Sequence, residues 1–203
     1  MTPPGGLWLP SAVNPSVLVD TPELVGQDVL LTPLDERWLG ETAALVAEPE
    51  VRRLTGTHPT FTPDQVRGHL AELPSRPDRA GWAVRRGTDG GYVGEVVLQD
   101  LDVPNQSMSF RIALSSRQLG RGYGTEATRL VLDFGFDVVG LHRIALEVFA
   151  FNPRAAHVYR KCGFRQEGVR RHALYWDGEW VDAIDMSVLA TDSRLRWARA
   201  QTR

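Results

Sequence analysis

Several things are scarce in this sequence, and each scarcity excludes a class of protein. Its 203 residues hold one cysteine, Cys162. No internal disulfide can form, and a reducing cytoplasm is the expected location. No apolar run reaches the ~18 residues that a membrane span needs. The start also lacks the basic residues and apolar core of a secretory signal. Neither sign of charge dominates: 23 Lys and Arg stand against 25 Asp and Glu, a net charge of −2, which gives no basis for a general nucleic-acid binder. Lys161 is the only lysine. The histidines at 58, 69, 142, 157 and 172 show no ligand-pair spacing with carboxylates or cysteine, so no metal is expected.

What remains is ordinary globular material, 42% hydrophobic and 24% charged, in a length that fits one domain with a real core. Residues 1–20 carry Pro3, Pro4, Pro10 and Pro15 with Gly5 and Gly6, and read as an extended arm. Trp8 and Leu9 are too apolar for pure linker, so the arm should lie on the body or on a partner subunit. Residues 21–190 read as the domain, and the Arg-rich stretch 191–203 as a tail.

Within the domain, Val29-Leu30-Leu31 suits a strand, and Glu36 to Ala47 a helix with Asp35 as its N-cap. Arg52 to Phe61 reads as a polar loop holding His58, and Thr62-Pro63 followed by Gln65 opens a second helix running to about Leu73. Trp82 to Val84, Tyr92 to Leu98 and Ser107 to Leu114 read as a meander, the first pair joined by a Gly-rich turn at 87–91. Further strands are expected over Ile144 to Val148, near Phe164–Arg170 and near Ala183–Leu189.

One stretch organises the rest: Arg117 to Phe136, RQLGRGYGTEATRLVLDFGF. Gly120, Gly122 and Gly124 alternate, and Ala127, Leu130, Val131, Phe134 and Val138 then recur at helical spacing. Since a strand precedes the glycines, the order is strand, glycine loop, helix. Glycines let a ligand approach the backbone, and a helix N-terminus offers free N–H groups and partial positive charge. The combination suits a phosphate or pyrophosphate. No lysine–serine pair follows, which argues against a nucleoside triphosphate loop.

The helix from Asn152 is punctuated at both ends. Asn152 is a good N-cap, Pro153 sits at N1, and Gly163 falls where a C′ glycine belongs. By pattern alone Tyr159 reads as a packing residue. Glu147, sharing a strand face with Ala145, reads either as solvated or as lining a cleft. Cys162, just before Gly163, reads as a small packing side chain. Asp100, Asp102, Asp177, Glu179 and Asp182 could line a site for a cationic amine or be solvated loop charges.

The ordered set LGRGYGTEA at 119–127, LEV at 146–148 and N-x-x-A-x-x-x-Y-x-K-x-G-F at 152–164 resembles the GNAT superfamily of acyl-CoA-dependent N-acyltransferases. With WDGEWVD at 176–182, it looks like the branch of ribosomal-protein N-terminal acetyltransferases and their small-amine relatives. The resemblance covers roughly residues 25–190. The family's loop usually begins with Arg or Gln three residues before the middle glycine, a place that Leu119 holds here in the register ending on Gly122 and Gly124.

The resemblance implies an α/β fold: a single domain with a mixed, mostly antiparallel sheet of six or seven strands, helices on both sides, and fourth and fifth strands that splay apart. It implies acetyl-CoA as co-substrate. The pyrophosphate would rest on Leu119, Gly120, Arg121, Gly122, Tyr123, Gly124 and Thr125, the acyl group against the backbone of Ile112, Ala113 and Leu114, and Asn152 beside the cofactor arm. Glu147, five residues before Asn152, would be the general base, and Tyr159 the acid that protonates the departing thiolate. The acceptor would be an amine, either a peptide N-terminus or a small molecule, while a second copy of the chain stays open as a partner. An idle acyl-CoA-binding module and a succinyl-CoA-using transferase also stay open at this point.

Overall fold

A computed structural model describes residues 13–19 and 21–192. An eight-stranded sheet runs through it in the order β1-β2-β3-β4-β5-β6-β8-β7. Its strands are β1 (Leu24–Val25), β2 (Val29–Pro33), β3 (Ala80–Arg86), β4 (Tyr92–Asp102), β5 (Ser107–Leu114), β6 (Arg143–Phe149), β7 (Arg165–Trp176) and β8 (Glu179–Leu189). The two-residue β1, paired with β2 through Leu24↔Leu31, takes the count beyond the six or seven expected.

All neighbours are antiparallel except β5 and β6. That pair is parallel because α5 (Tyr123–Asp133) crosses over between them. It holds for three residues, Ser107↔Arg143 to Ser109↔Ala145. Beyond that the strands part, as the resemblance implied.

The alternation of each strand sorts the core into two layers. Trp82, Val96, Leu98, Phe110 and Ile144 face one way and pack with Val131 of α5 and with Ala156 and Tyr159 of α6 (Pro153–Lys161). Trp82 meets Phe134 edge-on, ring centroids 5.2 Å apart. On the other face Ala83 packs with Val66 and Leu70 of α4 (Pro63–Glu72), and Ala113 with Leu45 of α2 (Leu39–Ala47) and Val51 of α3 (Pro49–Leu54).

The local start signals are realised in the chain. The Asp35 side chain accepts from the Arg37 amide ahead of the turn that leads into α2, and Thr62 and Gln65 form a complete capping box on α4. The polar loop expected over Arg52 to Phe61 needs correction, since its first residues belong to α3. Pro49 sits at the N-terminus of that helix, and Val51 is buried.

The helical face predicted from Ala127 holds as far as Phe134, then changes. Phe134–Val139 winds as a π-helix, which shifts the register, so Val139 is buried and Val138 exposed. The last two strands run longer than expected and form one hairpin, turning at Asp177-Gly178. Of the expected arm, residues 1–12 and 20 lie outside the described residues, as does the tail from 193. The described part, Val13–Val19, is not loose: α1 (Ser16–Val19) buries Leu18 fully, and the Asn14 amide donates to the Val139 carbonyl at 2.9 Å. Among the described residues no helix is long and apolar enough to cross a membrane.

Helix α6 ends in a full Schellman turn. The Gly163 amide donates to the Arg160 carbonyl (3.1 Å), and the Phe164 amide to the Tyr159 carbonyl (3.0 Å). The turn needs φ of 104° at Gly163. It also folds the Phe164 ring back against that of Tyr159, 5.8 Å away. Gly163→Ala should therefore lower stability by about 1–2 kcal/mol, the cost of a Cβ in left-handed backbone. Urea denaturation midpoints of the two proteins check this, with Gly163→Asn expected to lose less.

Candidate active site

Where β5 and β6 part, a cavity of about 980 Å³ opens. It is lined by Phe110 to Leu114 on one wall, Ala145 to Phe149 on the other, the loop 118–122 with the start of α5, and one side of α6. Every residue assigned above to the cofactor or to catalysis lines this one space, from Ile112, Ala113 and Leu114 through Leu119 to Thr125 and on to Glu147, Asn152 and Tyr159.

The geometry suits a long ligand with phosphates at one end. Gly120 and Gly122 have φ of 78° and 89°, and a Cβ at either would meet nothing within 4 Å, so both turn open backbone to the cavity. Gly122 is the N-cap of α5 and supplies no side-chain cap, which leaves the Tyr123 and Gly124 amides to face an anion, while the Thr125 amide donates to the Gly122 carbonyl at 2.9 Å. Gly124 is glycine for another reason. It is helical, and a Cβ there would press on Leu114 Cδ1 at 3.2 Å, so its absence lets α5 sit close to β5.

Arg121 is exposed at the cavity, and Arg154 and Lys161 line the same space from α6. These two cations lie seven residues apart on one helical face; Lys161 is the lysine of the motif at 152–164, and Arg154 falls at one of its variable positions. The start of the loop is anchored from the junction of α2 and α3. Glu48, between α2 and α3, accepts from the Ser115 hydroxyl (2.7 Å) and from both the amide (2.9 Å) and the hydroxyl (2.8 Å) of Ser116. Burial alone would raise its carboxyl, but these three hydrogen bonds outweigh it and hold Glu48 below the usual range.

On β5, the Ser115 amide donates to the Val93 carbonyl of β4 at 2.9 Å. By the alternation of an antiparallel ladder, Ala113 also bonds to β4, whereas Ile112 and Leu114 present their N–H and C=O groups to the cleft. Among the described residues no strand pairs with that edge beyond Ser109.

Tyr159 is buried, its ring edge-on to Phe110 at 6.2 Å and to Phe164. Burial pushes its hydroxyl upward, and the Arg111 guanidinium pulls the other way. The hydroxyl therefore carries its proton at neutral pH. Asn152 caps α6, its Oδ1 accepting from the Ala155 amide at 3.1 Å. Glu147 is exposed at the cavity and pairs with Arg170, which also holds Asp185 at 3.1 Å. Arg170 and Asp185 were not foreseen; the pairing Glu147↔Asp185 across β6 and β8 was invisible without the register.

Cys162 lies half-buried, its thiol donating to the Thr125 carbonyl at 3.5 Å and pushed up to about 11 by burial. Such a thiol stays protonated and packs, in line with the reading above. Of the carboxylates considered for an amine site, Asp100 lines the large cavity, and Asp102 caps a turn by accepting from Asn105. Asp177, Glu179 and Asp182 line a separate cavity of about 600 Å³ near the hairpin tip, with Trp176, Trp180 and Phe151.

Residues 28–165 match the sequence profile of the acetyltransferase (GNAT) domain. The chain belongs to the GNAT acetyltransferase family. Enzymes of this family use acetyl-CoA, the co-substrate that the cavity suits. The chain is 38% identical to the probable N-acetyltransferase YjcK of Bacillus subtilis over 177 residues, covering 83% of this chain and 98% of that protein. It is 35% identical to the spermidine N(1)-acetyltransferase of Escherichia coli K12 over 100 residues, 49% of this chain. The matched span is about half, 54%, of that relative's length. The fold of spermidine N-acetyltransferase from Vibrio cholerae, solved with CoA and spermine, superposes with a TM-score of 0.78 at 22% identity, over 83% of this chain and 99% of that one.

Gly122→Val should weaken acetyl-CoA binding at least tenfold, because a β-branched residue at φ of 89° adds roughly 1–2 kcal/mol of strain and projects into the cradle. Titration calorimetry on the folded variant measures it.

Proposed function

We propose that the protein transfers the acetyl group of acetyl-CoA to a primary amine, either a peptide N-terminus or a small-molecule amine, by direct attack within the β5–β6 cleft. The observation that carries this reading is the convergence of Glu147, Tyr159, the glycine loop and the free edge of β5 on one cavity. The single cysteine favours a cytoplasmic setting.

An amine acceptor arrives mostly as ammonium, since its pKa lies near ~8 for a peptide N-terminus and ~10 for an alkylamine. The Glu147 carboxylate takes that proton, directly or through water. The free amine then attacks the thioester carbonyl. Negative charge gathers on the carbonyl oxygen, where the cleft-facing amides of Ile112 and Leu114 stabilise it. Tyr159 gives its proton to the departing thiolate. The phosphates of the co-substrate rest on the amides of the glycine loop, with Arg121, Arg154 and Lys161 supplying opposite charge.

Tyr159→Phe keeps the ring contacts and removes one hydroxyl. It should lower kcat by about 10–1000-fold, with acid–base terms worth ~10²–10⁴ and water standing in partly, and leave acetyl-CoA affinity unchanged. Full turnover would return Tyr159 to a packing role.

Glu147→Gln should bind acetyl-CoA normally and lose most turnover near pH 7. Part of the activity should return as pH rises toward the acceptor's own pKa, where the amine arrives neutral. A raised KM with intact kcat would mean that Glu147 only holds the acceptor. Thiol release followed across a pH series separates the two.

A further inference from the structure

The cations around the cleft differ in whether they are already paired. Ser109, Arg111 and Ala113 of β5 share one face of the sheet, and through Ser109↔Ala145 that face continues to Glu147 on β6. On the β6 side the carboxylates are held: Arg170 takes both Glu147 and Asp185, and Arg143 with Ser187 takes Glu167. Arg111 stands on the opposite wall, exposed, and lines the cavity one residue from the cleft-facing amide of Ile112. Among the described residues it forms no ion pair. Its hydrogen bond goes to the Thr57 hydroxyl at 3.1 Å, in the loop after α3. A guanidinium has five N–H donors in a fork that fits a carboxylate, so most of its capacity is unspent.

Two carboxyls lie nearby, and among the described residues neither forms an ion pair with it. Glu95, opposite Ala113 on β4, sits on the same face, but burial pushes its carboxyl up toward the neutral form, with Arg111 pulling the other way. Asp100, at the cavity wall, accepts from the Gln99 side chain at 3.2 Å. The cleft therefore sets a positive group on the β5 wall against a carboxylate on the β6 wall. A zwitterion matches that arrangement, its ammonium toward Glu147 and its carboxylate toward Arg111. A polyamine brings a second cation toward an unpaired guanidinium, which is repulsive.

We propose that Arg111 selects the acyl acceptor by pairing with a carboxylate on it, so that the favoured substrates are small amino acids rather than plain amines or polyamines. This rests on the transferase reading above and narrows its acceptor.

The test measures thiol release from acetyl-CoA with four acceptors: an L-amino acid, its carboxamide, the matching amine without the carboxyl group, and spermidine. Wild type should favour the amino acid over its carboxamide by about 10- to 100-fold in kcat/KM, the worth of a charge-assisted hydrogen-bond pair, with the difference mostly in KM. Arg111→Gln should collapse that ratio, and Arg111→Lys should keep part of it. The ratio within one variant is insensitive to loss of folded protein. Equal or better turnover of spermidine or the plain amine by wild type overturns the proposal and leaves the transferase reading standing. So does a ratio that Arg111→Gln leaves unchanged. Wild type that binds acetyl-CoA and releases no thiol with any of the four overturns both.

Discussion

Everything in this molecule depends on a sheet that stops pairing in its middle. A parallel neighbour can be reached only by a crossover, and α5 provides it between β5 and β6. Three residues of pairing anchor the two strands, and then they diverge. Backbone N–H and C=O groups inside a protein are normally satisfied. Those of Ile112 and Leu114 are left facing a cleft. A sheet with this gap has a built-in demand for a ligand carrying its own hydrogen-bonding groups. The same crossover brings the start of α5, with its free N–H groups, to the mouth of the gap.

Charge is distributed with the same economy. Cations that line the α6 and glycine-loop end suit phosphates. Across the exposed face of β6, β8 and β7, by contrast, acids and arginines pair, Arg143 with Glu167 and Arg170 with both Glu147 and Asp185, which leaves one carboxylate in excess. Glu48 joins the halves: from the junction of α2 and α3 it holds Ser115 and Ser116 just before the glycine loop. The α2–α3 junction and the glycine loop are thereby tied together.

Much of this was legible because capping and loop chemistry are local. Asn152, Pro153 and Gly163 mark α6 within a dozen residues, and the alternating glycines mark the cradle without reference to anything distant. The roles proposed for Glu147 and Tyr159 rest on the family resemblance, since their own patterns suggest none. What escaped the sequence depends on neighbours far along the chain. The grip of Arg170 on Glu147 needs the bulged register of β7 on β8. The widening at Phe134–Val139 has no local mark that separates it from an ordinary helix. The short α3 hid because a polar composition masked the one buried side chain, Val51, that seats it.

The turn that closes α6 carries a consequence of its own. One backbone geometry, set at Gly163, fixes where the helix stops, where Phe164 lands and what the Tyr159 ring rests on. One more residue between Tyr159 and Gly163 would swing the turn by about 100° about the helix axis and take the Phe164 ring off that of Tyr159. Tyr159, Gly163 and Phe164 thus form one mechanical unit, in which the turn sets the packing of both rings.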